Sequence, residues 1–351
     1  MAEAVKIPYR RLGRSGLVVS RLCLGTMMFG DQTDEREAAA ILDAARAVGV
    51  NFIDTADVYA KGRSEKVVGR MVAADRDDWV LATKVANPNG KGPNRRGASR
   101  KWLLEAVPRS LQRLETDYID ILYLHKEDLG TPVEETVRAL ADLLARGQIR
   151  YFGLSNHRAW KIAEFVHHCR MAGIDGPIVC QPLYHILNRS IETEVLPVCA
   201  AHGIGVVSYS PLARGVLTGK YAGGVLDPDS RAGRGDRRIL QTEFEPTAIA
   251  IADHVAQHAR SRGTTPATLA IAWALANPHV TGVIAGPKSL SQWEGYVEAV
   301  GFTTNETDES VIDSLVKPGC TAIAQFVDPN YPAHGRKPSA GGHSNENISW
   351  T

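Results

Sequence analysis

The sequence has little cysteine and almost no net charge. Its five cysteines are an odd number, scattered and without a Cys-x-x-Cys pair, so the pattern indicates reduced thiols and not a disulfide framework. Forty basic and 39 acidic residues leave a formal charge of +1. Such a chain has no global field that would attract phosphate backbones or anionic lipids. We therefore expect no nucleic-acid partner and no membrane partner.

Long apolar runs are also missing. The longest apolar stretches, such as 204–207 and 269–276, fall well short of the roughly 20 residues that a membrane span requires. The first residues, Met-Ala-Glu-Ala-Val-Lys-Ile-Pro, contain no apolar targeting core. Together with the unpaired cysteines, these features predict a cytoplasmic protein.

Two further motifs are absent. No Gly-x-Gly-x-x-Gly follows a strand-like segment, which counts against a Rossmann dinucleotide site. No His-Glu-x-x-His occurs, and the adjacent His167, His168 and Cys169 have no partner at metal-binding spacing. We therefore expect no bound metal.

What the sequence does contain is a regular alternation of strand-like apolar runs and helix-like periodicity. With 351 residues and 44% hydrophobic content, the chain can bury the core of one barrel of roughly 250 to 330 residues. Strands are predicted at 22–25, 51–54, 80–84, 119–125, 149–155, 178–181, 205–209 and 282–285. Helices are predicted at 34–48, 100–114, 132–146, 191–202, 246–262, 266–277 and 309–316.

Eight strands separated by helices indicate parallel pairing. Because the Rossmann motif is missing, the pattern favours an α/β fold of the closed (β/α)8 TIM barrel type over a doubly wound sheet. Residues 10–20 predict an N-terminal β-hairpin, and extra helices interrupt and follow the barrel repeat. Residues 1–330 are predicted to form this single barrel domain. Residues 331–351, rich in Gly, Ser and Asn, are predicted to form a flexible tail.

Four polar residues, Asp54, Tyr59, Lys84 and His125, lie at or just past predicted strand ends, the edge that carries the chemistry in such barrels. A tyrosine with an unperturbed pKa of about 10 is a reluctant proton donor. The Lys84 ammonium would stabilise its anion, and Asp54 would keep that ammonium charged. His125 would orient a carbonyl oxygen by a hydrogen bond. The set predicts that Tyr59 acts as acid in carbonyl reduction and as base in the reverse oxidation.

These residues occur within Asp-Thr-Ala-x-x-Tyr and Leu-His-x-x-Asp segments, and the chain here resembles the aldo-keto reductases, in particular bacterial-type members. The resemblance runs from residue 10 to about residue 299. It implies a TIM barrel that transfers a hydride from NADPH to an aldehyde or ketone, reversibly with a secondary alcohol. It also implies that the family's catalytic Asp, Tyr, Lys and His are Asp54, Tyr59, Lys84 and His125.

The resemblance further implies NADP(H) as the preferred cofactor, with NAD(H) as the alternative. Tyr209 would stack on the nicotinamide, 208–221 would cradle the pyrophosphate, and 286–292 would receive the 2′-phosphate. The chain departs from many members at Glu294 and Tyr296, where Arg and Asn are common. The implied cofactor-binding residues are Thr26, Met27, Ser155, Asn156, Gln181, Tyr209, Ser210, Leu212, Gly215, Lys220, Arg231, Gly286, Lys288, Ser289 and Gln292.

The substrate is predicted to be a small-molecule carbonyl compound. Two long loops, 87–99 and 217–240, follow the third and seventh strands and are predicted to cover the catalytic rim, which suggests a bulky substrate. No pattern in the sequence indicates an oligomeric state. A predicted apolar substrate wall consists of Met27, Met28, Phe29 and Trp102.

Two alternatives remain open from the residues alone. One is a lyase or aldolase in which Lys84 forms a Schiff base with its substrate. Asp54 argues against this chemistry, because it would keep the amine protonated. The other is a cofactor-binding regulatory subunit with little turnover, against which the intact set of four catalytic residues argues.

Overall fold

Eight parallel strands close into a barrel in the computed structural model, which describes residues 6–224, 226–323 and 328. The last strand pairs with both the first and the seventh strand of the barrel, which completes the closure. An antiparallel hairpin of β1 (Tyr9–Arg11) and β2 (Val18–Ser20) precedes it. The barrel strands are β3 (Leu22–Gly25), β4 (Phe52–Asp54), β5 (Val80–Val85), β6 (Ile119–Leu124), β7 (Ile149–Ser155), β8 (Val179–Gln181), β9 (Gly205–Ser208) and β10 (Val280–Ala285).

Helices surround the strands, and several begin at polar caps that the sequence supplies. Asp34, Ser99 and Thr265 each accept a hydrogen bond from a first-turn N–H of the following helix. The helices are α1 (Glu35–Ala47), α2 (Arg63–Val72), α3 (Arg100–Leu114), α4 (Val133–Ala145), α5 (Ala159–Met171), α6 (Val195–His202), α7 (Arg237–Leu240), α8 (Pro246–Ser261), α9 (Pro266–Ala276), α10 (Leu290–Val300) and α11 (Glu306–Leu315). The predicted (β/α)8 barrel with an N-terminal hairpin and extra helices is therefore confirmed.

Some predicted bounds were wrong, each for a local reason. Residues 191–202 are not one helix: α6 begins only at Val195, because Pro197 lacks an N–H and fits a first helical turn but not a helix interior. The last predicted helix begins earlier, at Glu306, because Asn305 and Asp308 form a capping box. The loop predicted at 217–240 contains the short helix α7, which Asp236 caps.

The two faces of the barrel strands build two different hydrophobic clusters. In β6, Ile121 and Tyr123 pack inside the barrel with Phe52, whereas Leu122 and Leu124 pack against the surrounding helices. The hairpin adds Leu12 and Val19, both fully buried, to the inner cluster. The hairpin thereby closes the barrel at the N-terminal ends of its strands. It does not cover the carboxyl-terminal ends.

The described ranges contain no helix that is both long and apolar enough to cross a membrane. Within the same residues, no group of three or more His, Cys, Asp or Glu side chains could hold a metal ion. The predicted tail, 331–351, lies outside the described residues.

Candidate active site

Asp54, Tyr59, Lys84 and His125 meet at the carboxyl-terminal end of the barrel. Asp54 is the last residue of β4, Lys84 lies near the end of β5, and His125 directly follows β6. Lys84 Nζ donates a hydrogen bond to Tyr59 Oη at 3.1 Å. The Tyr59 and His125 rings meet edge to face, with centroids 5.8 Å apart. Adjacent strand ends thus bring an acid, an ammonium, a phenol and an imidazole to one point.

Asp54 and Lys84 form a buried ion pair beneath the phenol. Their side chains are 3% and 1% exposed, and Lys84 Nζ also donates to the Thr55 carbonyl oxygen at 2.9 Å. Gln181 Nε2 donates to the second Asp54 oxygen at 2.8 Å. Burial opposes the charge on Lys84, but Asp54 and Tyr59 outweigh it and raise the lysine pKa above its ordinary value. Lys84 is therefore an ammonium at neutral pH.

Tyr59 is a neutral phenol in this environment. Burial raises its pKa above 10, and the nearby Lys84 charge only partly opposes that shift. The turn that begins at Tyr59 places Ala60 and Lys61 at φ values of 47° and 58°, a left-handed conformation that costs non-glycine residues of order 1–3 kcal/mol each. The phenol is therefore held in place by a strained turn and carries its proton at neutral pH.

His125 is neutral as well. Burial lowers its pKa well below 6.5, and the charges of Lys84 and Lys126 lower it further. Its backbone N–H donates to the Val85 carbonyl oxygen at 2.8 Å, and its own carbonyl accepts from Asn156 Nδ2 at 2.9 Å. The imidazole is thus fixed beside Tyr59 in a form with one N–H donor and one acceptor.

Tyr59 and His125 open into a cavity of about 740 Å³. Lys84 is fully buried and does not line it. The cavity extends from these side chains past the ends of β9 and β10. Of the residues predicted from the resemblance to bind a cofactor, it is lined by Thr26, Met27, Ser155, Asn156, Gln181, Tyr209, Ser210, Leu212, Gly215, Lys220, Arg231, Gly286, Lys288 and Gln292.

Four polar residues form one network on the cavity wall next to His125. Ser155 Oγ donates to the Gln181 carbonyl oxygen at 2.9 Å, and Asn156 Nδ2 donates to Ser155 Oγ at 2.9 Å. Tyr209 Oη donates to Asn156 Oδ1 at 2.7 Å. Asn156 adopts φ +58°, which turns its side chain back into this network. These side chains present amide and hydroxyl groups beside a tyrosine ring.

The loop after β9 presents free backbone donors beside a lysine. Neither Ser210 nor Leu212 donates its backbone N–H to another described residue. Gly215 has φ +102°, a conformation that L side chains rarely adopt, and the Lys220 side chain lies over this glycine. Free amide donors next to an ammonium are typical of backbone anion sites.

Sequence reasoning missed three arginines that also line this part of the cavity. Arg214 pairs with buried Glu243, and Arg238 pairs with Asp328. Arg234 Nη2 donates to Gln32 Oε1 at 3.0 Å, so the loop after β9 meets the loop after β3. The signal was available for Arg214, which lies within the segment 208–221 that the resemblance assigns to the pyrophosphate, and the high arginine density of 231–238 was a weaker one.

The segment after β10 leads into the N-terminus of α10. Ser289 caps that helix and, unlike Gly286, Lys288 and Gln292, does not line the cavity. Glu37 accepts a hydrogen bond from the Leu290 N–H at 2.6 Å, which occupies one donor of the helix end. Glu294 and Tyr296, the two positions at which the chain departs from many family members, differ in their location. Glu294 is exposed and outside the cavity lining, whereas Tyr296 lines the cavity.

The predicted apolar substrate wall needs correction. Met27 and Met28 line the cavity, but Phe29 and Trp102 do not. Both aromatic side chains are 1% exposed and belong to the core between strands and helices. Trp102 follows the Ser99 cap at a helical position whose side chain shares a face with buried Ala106, so the phase of α3 turns it inward.

Asp57 is a second buried carboxyl group near Tyr59, and the sequence did not indicate its role. It is 1% exposed, and among the described residues its Oδ1 has no hydrogen-bond partner. Its Oδ2 accepts from Asn89 Nδ2 at 3.1 Å. Burial raises its pKa from 3.8 to about 7; Asn89 opposes the shift, Glu65 adds to it, and nearby cations oppose it. The carboxyl group is thus poised to titrate near neutrality.

We expect Asp57→Asn to change how stability depends on pH. The carboxyl pKa is higher in the folded than in the unfolded protein, so the folded state binds the extra proton between pH 3.8 and about 7. Wild-type stability should therefore fall as pH rises through this window, by up to about 4 kcal/mol. Asn resembles the protonated acid and does not titrate. Urea unfolding from pH 5 to pH 8 should show the variant gaining stability relative to wild type.

Asp175→Asn serves as the matched control, because Asp175 is exposed. Its stability should follow the wild-type pH profile. If Asp57→Asn followed the same profile, Asp57 would be ionised in the folded protein across the whole range, and the assigned protonation would be wrong.

Comparison with known proteins agrees with this geometry. A model described as the aldo/keto reductase family matches residues 21–317. A protein of Arabidopsis thaliana named probable voltage-gated potassium channel subunit beta is 42% identical over 83% of this chain and 90% of its own length. The uncharacterized oxidoreductase YrpG of Bacillus subtilis is 35% identical, over 85% and 92% respectively. L-glyceraldehyde 3-phosphate reductase of Escherichia coli O157:H7 is 33% identical, over 90% and 94%.

These relatives carry two kinds of name, one for an enzyme and one for a channel subunit, while the family model spans both the barrel and the site. The match from residue 21 to residue 317, with relatives above 30% identity over more than four-fifths of the chain, shows that this protein belongs to the aldo/keto reductase family.

Proposed function

We propose that this protein reduces an aldehyde or ketone with NADPH and that Tyr59 supplies the proton. The observation that carries the proposal is the hydrogen bond from Lys84 Nζ to Tyr59 Oη at 3.1 Å. The same lysine forms a buried ion pair with Asp54. Together these contacts place a neutral acid on the cavity wall and a fixed positive charge directly behind it. This arrangement stabilises the phenolate that remains when the proton has left.

The residues that line the cavity are suited to binding a dinucleotide. It offers unused amide N–H groups at Ser210 and Leu212 and a lysine at each of the two loops where phosphates would lie, Lys220 and Lys288. When bound, the nicotinamide cofactor supplies the hydride. Ser155, Asn156 and Gln181 would hold its carboxamide, and Tyr209 would stack on its ring.

Side chains of this protein can account for the proton and the electron pair of the proposed reaction. A carbonyl carbon accepts the hydride, its oxygen takes the Tyr59 proton, and the electron pair of the O–H bond stays on Tyr59 as phenolate beside Lys84. The neutral His125 imidazole donates a hydrogen bond to the same oxygen and fixes its direction. The raised pKa of Tyr59 keeps the phenol protonated at neutral pH, which is the form that reduction requires. Free, mostly buried cysteines support a reducing, cytoplasmic location.

The preference for NADPH rests on Lys288. Glu294, the residue that would oppose a phosphate, is exposed and does not line the cavity. We expect NADPH to be oxidised more efficiently than NADH across a panel of aldehydes and ketones. Lys288→Gln should raise the KM for NADPH about 10-fold through the loss of one charged contact, with a smaller effect on NADH.

Lys317→Gln is the control, because Lys317 is exposed and does not line the cavity. Both cofactors should keep their kinetic constants in this variant. Equal use of NADPH and NADH by the wild type would contradict the cofactor assignment while leaving the reductase assignment intact. Absence of turnover with either cofactor on every carbonyl compound would contradict the reductase itself.

A regulatory subunit is the second candidate, and the name of the Arabidopsis relative favours it. In that case NADPH would bind tightly without turnover, and the protein would associate stoichiometrically with a membrane partner. The bonded series Asp54, Lys84 and Tyr59, with the His125 ring against the phenol, supports catalysis instead. The Schiff-base alternative has no support from the geometry, since Lys84 is fully buried, bonded to Asp54 and outside the cavity lining.

A further inference from the structure

We propose that Lys126 is an anion-binding residue of the substrate site and that the carbonyl substrate carries a carboxylate or phosphate. This inference rests on the proposed reductase function, and it names the class of substrate. Lys126 follows His125 directly and lines the cavity beside it. Its charge already acts on the His125 ring, so it lies close to the place where a carbonyl group would react.

The barrel topology separates this lysine from the cations that suit a cofactor. Lys126 follows β6, the fourth barrel strand, whereas Lys288 follows β10, the eighth, on the opposite side of the ring. Lys220 and the cavity-lining arginines, Arg214 and those of 231–238, all come after β9, next to β10. A dinucleotide whose phosphates lie near those loops therefore leaves the Lys126 charge for another ligand.

Lys126 also has no partner in the part of the chain that the structure describes. Its ammonium forms no hydrogen bond or ion pair with those residues. The two acids that follow it are committed elsewhere. Glu127 accepts from both the backbone and the side chain of Arg158, and Asp128 accepts from the Ala98 N–H and from Thr131. No carboxylate of this loop neutralises Lys126.

The cavity residues near Lys126 indicate what kind of molecule would carry the anionic group. Pro88 follows β5, the strand next to β6, and Val58 follows β4; both line the cavity, as do Met27 and Met28 after β3. They offer apolar contacts to the body of a substrate, while Lys126 offers one ammonium at its edge. A compound with a carbonyl at Tyr59 and an anionic group one ring or a short chain away would satisfy both requirements. A neutral substrate would leave the ammonium without a partner.

The test compares two aldehydes of similar shape, 4-formylbenzoate and its neutral analogue 4-formylbenzamide. We expect kcat/KM in the wild type to favour the carboxylate by about 10-fold or more, the size of one charged hydrogen bond. Lys126→Gln should remove that preference, Lys126→Arg should keep most of it, and added salt should weaken it. Lys66→Gln removes an exposed lysine of α2 and should leave the ratio unchanged.

Binding of both aldehydes to the complex with NADPH is measured by calorimetry alongside turnover. A preference for the carboxylate in affinity that Lys126→Gln abolishes supports the anion site even if neither aldehyde is reduced, an outcome that would contradict the reductase alone. Equal affinity and equal kcat/KM for the two aldehydes in the wild type would overturn the Lys126 proposal. A preference that survives in Lys126→Gln would overturn it as well.

Discussion

Replacing Tyr59 with Phe is expected to lower kcat/KM for carbonyl reduction by about 10³-fold, since a positioned general acid contributes typically 10² to 10⁴. The variant keeps the aromatic ring that meets His125 edge to face and loses the phenolic hydroxyl, which is the proton donor. The hydrogen bond from Lys84 also disappears, at a cost of about 1 kcal/mol in stability. Affinity for NADPH should stay close to that of the wild type.

Tyr151→Phe provides the matched control. Tyr151 lies on β7 and packs against the inner cluster of the barrel, outside the cavity lining. Deleting its hydroxyl should leave turnover within a small factor of the wild type. Full activity in Tyr59→Phe would show that another group protonates the substrate, and the assignment of Tyr59 would then have to be withdrawn.

Replacing Lys84 with Met is expected to damage both stability and chemistry. The substitution leaves the Asp54 carboxylate buried with Gln181 as its remaining side-chain donor. Removal of one partner from a buried ion pair costs about 3–5 kcal/mol. The Tyr59 phenolate also loses its counter-charge, so we expect kcat to fall by about 10²-fold or more. Urea unfolding and single-turnover reduction measure the two effects separately.

The double variant Asp54→Asn with Lys84→Met distinguishes the two effects. It removes both charges, so no carboxylate remains buried without a counter-ion, and most of the lost stability should return. Turnover should not return, because the charge behind Tyr59 is still missing. Recovery of turnover together with stability would mean that Lys84 serves only the fold.

The catalytic end of the barrel could be predicted because its signals are local. Each barrel strand is a short apolar run, and Asp54, Lys84 and His125 come at or directly after such runs. Parallel strands bring their carboxyl ends to one rim, so strand positions alone place these three side chains together. Residue types then indicate the chemistry, and the resemblance to a family adds the cofactor.

Other features depend on contacts between distant segments and could not be predicted. Arg214 meets Glu243, and Arg238 meets Asp328 across 90 residues of sequence. Asp57 accepts a hydrogen bond from Asn89 of the next loop. The orientation of Trp102 follows from where α3 begins, which its cap sets. Residue types along the sequence do not indicate which distant side chains will pair or which way a helix will face.

The hairpin beneath the barrel has a consequence for the return of the proton. Leu12 and Val19 seal the inner cluster from below, and Asp54 and Lys84 are 2% and 0% exposed. The phenolate that the proposed reaction leaves on Tyr59 would therefore meet solvent through the cavity mouth, the same opening through which an alcohol product would depart. Protonation of Tyr59 and release of the product would use the same opening. Tyr59 would therefore regain its proton for the next turnover only as the product leaves the cavity.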